Sequence, residues 1–259
     1  MRSRGSWKIR IFIGLAIVAF AFIQRCSNRE TNPYTGREQT INMSSEQEIA
    51  IGLQSVPQMI QDFGGLYPDQ RLQTLVDAVG NRLVQNSLAR ETPYQYDFHL
   101  LADSKTINAF ALPGGQCFIT YALFSQLNED QLAGVLGHEI AHVVGRHSAE
   151  RIAESTFWQT LATGASVGGD MGSLVGSIGQ NTLLQNGRDD ELESDELGVL
   201  MMIQAGYDPN EMIEVMRILK KAAGPNRVPE FQSTHPDPEN RIEKIRAAIK
   251  KYKGNRPVF

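Results

Sequence analysis

The sequence predicts an α+β protein that is dominated by helices and has a small β-sheet and an N-terminal membrane segment. Apolar residues recur at helical spacing over most of the chain. Two stretches typical of β-strands, 96–102 and 116–121, flank a Pro-Gly-Gly turn. Near the N-terminus, an apolar run follows a group of basic residues.

The N-terminal segment has the pattern of an export signal, with an uninterrupted apolar run from Ile11 to Ile23. The basic residues before it are Arg2, Arg4, Lys8 and Arg10. The positive flank is expected to stay in the cytoplasm. No clean small-x-small cleavage site follows the apolar run. Its absence favours an uncleaved anchor that comprises residues 1–30. A cleaved signal and a lipid-modified Cys26 are the alternatives.

The remaining residues, 31–259, are expected to form one domain on the exported side of the membrane. With a formal net charge of −4, the chain has no basic surplus, which argues against nucleic acid as a partner. Its two cysteines, Cys26 and Cys117, give no disulfide framework. Oligomeric state is not indicated by the sequence.

The segment His138-Glu-Ile-Ala-His142 is the strongest chemical signal in the chain. Two histidines four residues apart on a helix point the same way, about 40° apart, so that one zinc ion fits between them. Glu139 lies about 100° round the helix, outside the ligand set but within reach of a water, and is the candidate general base. Asn128 as N-cap and an apolar pattern from Leu132 to Val144 predict a buried helix here. His147, about 180° from His138 on the same helix, is interpreted as a hydrogen-bonded structural residue.

A catalytic zinc requires a third protein ligand, which the acidic run 188–195 offers. Glu191 and Asp195 share a helix face, and Gly198 continues that face and allows a close neighbour. Spacing alone leaves Asp189 and Glu193 open as alternatives.

The chain resembles the HtpX and CAAX-prenyl-protease type of zinc metallopeptidase, in the branch with Oma-type, BepA-like and LoiP-like proteins. The resemblance rests on NPYTGREQ (32–39), NAFALPGG (108–115), GHEIAHVVGRHSAER (137–151), ELESD (191–195), AGYDP (205–209) and STHPDPENR (233–241). It implies a zincin fold of gluzincin type, one Zn²⁺ per chain held by His138, His142 and Glu191, and Asp195 behind the ligands. Ser194 replaces the usual Ala of the family.

Two further segments have a predicted role at the site. Asn108 and Ala109 begin an edge strand to which a peptide substrate adds, the alternative being a plain structural hairpin. His235 precedes a predicted helix capped by Asp237 with Pro238 at its first position. The resemblance places His235 by the active site, where it either stabilises the oxyanion or occupies the open zinc position as a latch. The first, catalytic role is the one expected.

Three expectations concern the remaining helices. Ser45 and Glu48 are predicted to form a capping box for a helix to about Phe63, and residues 69–89 a further helix. Glycines at every fourth position from Gly164 to Gly176 indicate either a small-residue stripe for helix packing or a mobile segment. The mobile segment is the favoured interpretation.

The predicted function is a membrane-tethered zinc endopeptidase of the HExxH type that cleaves polypeptides on the exported side, in protein quality control of the cell envelope. The expected location is the inner membrane, with the domain in the periplasm; the mitochondrial inner membrane is an alternative. A different class of function is a latent, zinc-bound chaperone or assembly factor for envelope proteins. The presence of Glu139 favours the enzyme, since binding alone does not require a general base.

Overall fold

The computed structural model describes residues 4–169, 171–222, 235 and 240–254. Its α-helices are α1 Arg4–Ser27, α2 Ser45–Asp62, α3 Gln70–Gln85, α4 Tyr121–Phe124, α5 Glu129–Val144, α6 His147–Gly169, α7 Gly172–Ala205, α8 Glu211–Ala222 and α9 Arg241–Gly254, with a 3₁₀ turn at Leu88–Glu91. Its strands are β1 Arg29–Thr31, β2 Glu38–Thr40, β3 Asp97–Leu101, β4 Ala109–Ala111 and β5 Gln116–Thr120. Helices dominate and the sheets are small, so the predicted α+β class is confirmed.

The chain forms two compact units. The first comprises the described residues of Met1–Met43 and Ser148–Gly187, and the second those of Ser44–His147 and Arg188–Phe259. In the first unit, β1 and β2 pair antiparallel and α6 packs along α1. A Cβ on Gly164 would lie 2.9 Å from Val18 Cγ2 of α1. The segment from Gly164 to Gly176, for which the sequence favours mobility, is helical where the structure describes it. The alternative interpretation, a small-residue stripe for helix packing, agrees with this contact.

The second unit contains a three-stranded sheet in the order β3-β5-β4. The predicted turn at 113–115 joins β4 to β5, which pair antiparallel, whereas β3 lies parallel beside β5. The predicted strands 96–102 and 116–121 thus correspond to β3 and β5, and the predicted edge segment that begins at Asn108 and Ala109 contains β4. Gly114 and Gly115 have φ of 83° and 112°, which only glycine adopts without strain.

Helix α5 is the centre of the second unit. It contacts α3, α8 and β4, and its residues from Leu132 to Ala141 are all buried. Asn128 caps it as predicted and forms a capping box with Gln131. A helix buried on all sides leaves no water for polar side chains, so its His and Glu residues must find partners inside the protein.

The cap of α2 differs from the prediction. Ser44, with Gln47, forms the capping box, one residue before the predicted pair Ser45 and Glu48. Glu48 is instead buried, where it accepts hydrogen bonds from Arg146 Nε at 2.8 Å and from Tyr94 Oη at 3.1 Å. A buried carboxylate requires such partners, and this requirement sets the position of the helix start.

Candidate metal centre

The two histidines of the motif lie side by side on α5. Their Nε2 atoms are 3.1 Å apart, because side chains four residues apart share a helix face and converge. Burial lowers the pKa of His142 well below its usual range, so its ring is neutral and offers a lone pair. The Nε2 atoms of both rings thus point to one place.

Glu191 of α7 adds a carboxylate to the same point. Its Oε2 lies 3.2 Å from His138 Nε2 and its Oε1 lies 3.3 Å from His142 Nε2. Close approach of the two helices makes this possible, since a Cβ on Gly198 would lie only 3.2 Å from the backbone nitrogen of His138. The glycine therefore has the packing role that the sequence indicates.

His235 brings a fourth donor into the cluster. Its Nδ1 lies 3.0 Å from Glu191 Oε1 and 3.4 Å from His138 Nε2. Its Nε2 lies 3.3 Å from the carbonyl oxygen of Ala109. The predicted cap residues beside it, Asp237 and Pro238, lie outside the described residues.

Asp195 and Arg241 lie behind the donors. Asp195 Oδ1 is 3.1 Å from His138 Nδ1, and Arg241 donates to Asp195 from Nε at 2.6 Å and from Nη2 at 2.9 Å. Burial opposes ionisation of Asp195, but Arg241 and His138 outweigh it and lower the pKa of its carboxyl group. The carboxylate is therefore ionised, and it holds the His138 ring with Nε2 towards the cluster.

Glu139 is completely buried, and neither of its carboxylate oxygens forms a hydrogen bond within the described part of the chain. His235 Nε2 lies 3.6 Å from Glu139 Oε1. Burial raises the pKa of Glu139. A carboxyl group in this state accepts a proton more readily than an exposed one, as a general base requires.

The donor set fits a metal ion. The ligand atoms of His138, His142, Glu191 and His235 all lie within 4.8 Å of one another. In a tetrahedral zinc site with bonds of about 2.0–2.1 Å, neighbouring ligand atoms are about 3.3 Å apart. The nitrogen and oxygen separations here match that value. Glu191 Oε2 makes no hydrogen bond to any described residue, although Arg241 Nη2 lies 3.2 Å from it.

Comparison with known proteins agrees with this geometry, because the model of peptidase family M48 matches residues 70–249. The chain belongs to peptidase family M48. It is 33% identical over 231 residues to the beta-barrel assembly-enhancing protease of Yersinia pestis, covering 83% of this chain and 46% of that protein. For the protein of the same name from Escherichia coli K12, the identity is 31% over 248 residues, 90% of this chain and 49% of the relative.

A mitochondrial relative matches as well. The mitochondrial metalloendopeptidase OMA1 of Schizosaccharomyces pombe is 30% identical over 236 residues, which are 89% of this chain and 69% of that protein. The M48 chain spans about half the length of the two bacterial relatives. The predicted resemblance is thereby confirmed, and the chain belongs to a family of metallopeptidases.

His147 of the M48 chain does not lie where the sequence places it. Helix α5 ends at Val144 and Arg146 has a φ of 58°, so His147 starts α6 and is not 180° round α5 from His138. Its Nδ1 lies 2.9 Å from His142 Nδ1 and its Nε2 lies 2.8 Å from Glu193 Oε2. The hydrogen-bonded role predicted for His147 agrees with these contacts.

The candidate substrate edge lies next to the donor cluster. Among the described residues, β4 pairs with β5 alone, so its other edge is unpaired in the sheet. Ala109 is buried on β4, and Asn108 precedes it, with its carbonyl oxygen accepting from Thr120 N at 3.0 Å. The contact of His235 with the Ala109 carbonyl links this edge to the donors.

Sequence reasoning missed one residue of the M48 site, Arg241. Arg241 is itself buried, lies 3.2 Å from Glu191 Oε2 and donates a hydrogen bond to Asp195. The available signal was its place at the end of the STHPDPENR segment. A second buried carboxylate requires a second positive group.

Proposed function

We propose that this chain is a zinc endopeptidase, tethered to a membrane, that cleaves polypeptides on the exported side. The observation that carries the proposal is the convergence of His138, His142 and Glu191 beside the buried, unsatisfied carboxylate of Glu139. Two imidazoles and one carboxylate are the ligand set of a catalytic zinc that keeps one position open. A structural zinc site has no use for a general base next to it.

Each protein group has a distinct task in peptide hydrolysis. When bound, zinc supplies a Lewis acid that polarises the scissile carbonyl and activates water. Glu139 takes the proton from the attacking water at a carboxylate oxygen and delivers it to the leaving nitrogen. Asp195 and Arg241 keep the His138 ring oriented, and His147 with Glu193 does the same for His142. Burial of Glu139 excludes bulk water from the proton transfers.

The geometry favours the latch role for His235 over the oxyanion role expected from the sequence. Its Nδ1 is as far from His138 Nε2 as neighbouring ligands of one tetrahedral site are from each other, so it fits the fourth ligand position. Its other nitrogen contacts the Ala109 carbonyl on the substrate edge. Departure of His235 would free the metal position and the strand edge together.

We propose that a peptide binds as an added strand along the unpaired edge of β4. Main-chain hydrogen bonds of this kind give affinity without selecting a sequence. Such a mode suits a protease that acts on unfolded or misassembled polypeptides. The names of the relatives, a beta-barrel assembly-enhancing protease and a mitochondrial metalloendopeptidase, support a role in protein quality control at membranes.

For the location, we propose the inner membrane of a cell envelope with the second unit in the periplasm. Among the described residues, Trp7–Ser27 is long and apolar enough to cross a membrane, by length and composition. Basic residues precede it, which favours a cytoplasmic N-terminus.

The test is cleavage of casein and of an unstructured peptide by the full chain in detergent, with and without a chelator. The expected result is cleavage that a chelator abolishes and Zn²⁺ restores. Chelator-resistant cleavage would contradict the metal mechanism. If the chain binds zinc and suppresses aggregation of an unfolded protein, but cuts nothing even without the His235 side chain, the chaperone function applies instead.

A further inference from the structure

Helix α1 has large apolar side chains that the first unit leaves uncovered. Over Trp7–Ser27 only 11% of the most apolar window is buried. The exposed side chains include Trp7, Phe12, Leu15, Phe20 and Ile23, with exposed fractions from 56% to 74%. A helix of this length spans about 30 Å, the thickness of the hydrocarbon core of a bilayer.

Helix α6 runs antiparallel to α1 along this apolar segment. As residue numbers rise in α1, those of the contacting residues fall in α6. The contacts are Arg10 Nε to the Val167 carbonyl at 3.2 Å, Phe22 to Phe157 with ring centroids 5.4 Å apart, and Arg25 Nη2 to Glu154 Oε1 at 3.1 Å. Between them the backbones meet closely, because a Cβ on Gly14 would lie 2.7 Å from the Gly164 carbonyl oxygen. Residues 154–167 of α6 therefore lie at the same depths as residues 10–25 of α1.

The first part of α7 returns along α6. A Cβ on Gly172 would lie 2.7 Å from the Ala162 carbonyl oxygen, and one on Gly179 would lie 2.7 Å from Trp158 Cβ. These two close contacts, again at descending numbers in α6, define a helical hairpin within the first unit. Small residues that let backbones approach are the usual means of helix association in lipid.

The hairpin carries almost no charge, although among the described helices only Trp7–Ser27 is long and apolar enough to cross a membrane. Between Glu154 and Arg188, Asp170 is the one charged residue in the sequence. Hydroxyl groups along both helices donate to the carbonyl oxygen four residues earlier and so need no water. They are those of Thr156, Thr160, Thr163, Ser177 and Thr182.

The second helix of the hairpin also has apolar side chains that the first unit leaves uncovered. They are Met171, Leu174, Ile178 and Leu184, each about half exposed. In water these side chains would form an exposed apolar surface in addition to that of α1, and monomeric soluble proteins rarely keep such surfaces. Lipid chains would cover both surfaces at once.

We propose that the helical hairpin of residues 155–169 and 171–184 enters the bilayer beside α1, so that these three helical segments of the first unit form one membrane element. The proposal rests on the proposed membrane anchoring of α1 and goes beyond it. One helix cannot enter the hydrocarbon core while a helix packed against it at the same depth remains in water.

The test measures the depth of single cysteines in the full chain, reconstituted into phosphatidylcholine vesicles. The background carries Cys26→Ser, while Cys117 is buried and stays. A bimane label is placed through Ile178→Cys in α7, Leu15→Cys in α1, or Leu53→Cys in α2. Ile178 and Leu53 are equally exposed, at 49%, so Leu53 is the matched control. Quenching is compared between vesicles with brominated lipid tails and aqueous iodide.

The expected result is a loss of fluorescence in brominated vesicles at position 178 equal to that at position 15, with no loss at position 53. Quenching at 15 by lipid and at 178 by iodide would overturn the hairpin while leaving the anchor intact. Protection of 178 from both quenchers would mean that a second copy covers it, which also overturns the proposal. If lipid does not quench the label at position 15, α1 is not a membrane anchor. That result leaves the proposed peptidase activity untouched, because peptide cleavage is measured separately. Leu174→Cys repeats the test in α7 if the Ile178 variant does not fold.

Discussion

The proposed role of Glu139 as general base depends on its burial without partners. Neither carboxylate oxygen has a hydrogen bond within the described residues. We expect Glu139→Gln to keep its metal and fold but to lose activity by about a hundredfold to ten-thousandfold, since the amide cannot accept the proton. Peptide turnover and metal stoichiometry measure the two effects. Glu129→Gln, an exposed change at the start of the same helix, is the matched control. Near-normal turnover by a metal-loaded Glu139→Gln protein would remove Glu139 from the mechanism.

For His235 the two functional roles predict opposite signs. A side chain that occupies the fourth ligand position competes with water, so His235→Ala is expected to raise turnover by about tenfold or more at unchanged metal content, if the open state is a minor one. His235→Asp restores a ligating group and should keep turnover low. A fall in turnover for His235→Ala would favour the oxyanion role that the sequence suggests.

At the scale of elements, α7 supplies two carboxylates with different partners. Glu191 lies within 3.3 Å of both motif histidines, whereas Glu193 contacts His147. Glu191→Ala should weaken metal binding by at least about a hundredfold and Glu193→Ala by about tenfold or less, because the second acts only through His142 and His147. Competition with a fluorescent zinc chelator measures both. Equal losses would reopen the choice of the third ligand.

Helix α9 contributes through its first residue, Arg241. Arg241→Gln leaves the buried carboxylate of Asp195 without its cationic partner. We expect this change to lower the free energy of unfolding by about 3–5 kcal/mol. Urea unfolding of Arg241→Gln with metal at saturation checks this expectation. Arg246→Gln, on the exposed face of the same helix, should unfold like the parent. Equal unfolding midpoints for both variants would show that Asp195 does not depend on Arg241.

Local sequence signals predict the elements whose determinants are local. Helix α5 has its cap, its apolar pattern and its histidine spacing within one short segment, so its start and its donors were predictable. The start of α2 was not, because Ser44 with Gln47 and Ser45 with Glu48 are equally good capping pairs. Only the burial of Glu48 against Arg146 distinguishes them.

Contacts between segments far apart in the chain could not be predicted from local sequence signals. Parallel pairing of β3 with β5 depends on tertiary packing, and the match between Arg241 and Asp195 joins two helices far apart in the chain. The third ligand could be narrowed by helix periodicity to Glu191 or its neighbours. The family resemblance implied Glu191, and the distances to His138 and His142 agree with that choice over Glu193.

At the scale of the whole molecule, the proposed topology has a direct test. A reporter fused after residue 40 should be active on the exported side and should stay with the membrane through salt and alkaline washes, since an uncleaved apolar helix holds it. Fractionation of the fusion and of a variant with Ile13→Lys and Ile17→Lys compares an intact with a disrupted apolar run. Recovery of the unmodified fusion in the soluble fraction would favour a cleaved signal.

The donor cluster draws on three separate stretches of the chain, at α5, at α7 and at residue 235. An ion held there binds the folded chain and not the unfolded one, so folding and metal supply are thermodynamically linked. Each tenfold rise in free ion above the dissociation constant adds about 1.4 kcal/mol to stability. With the proposed zinc as that ion, scarcity of zinc in the compartment would lower the stability of the folded protein together with its activity.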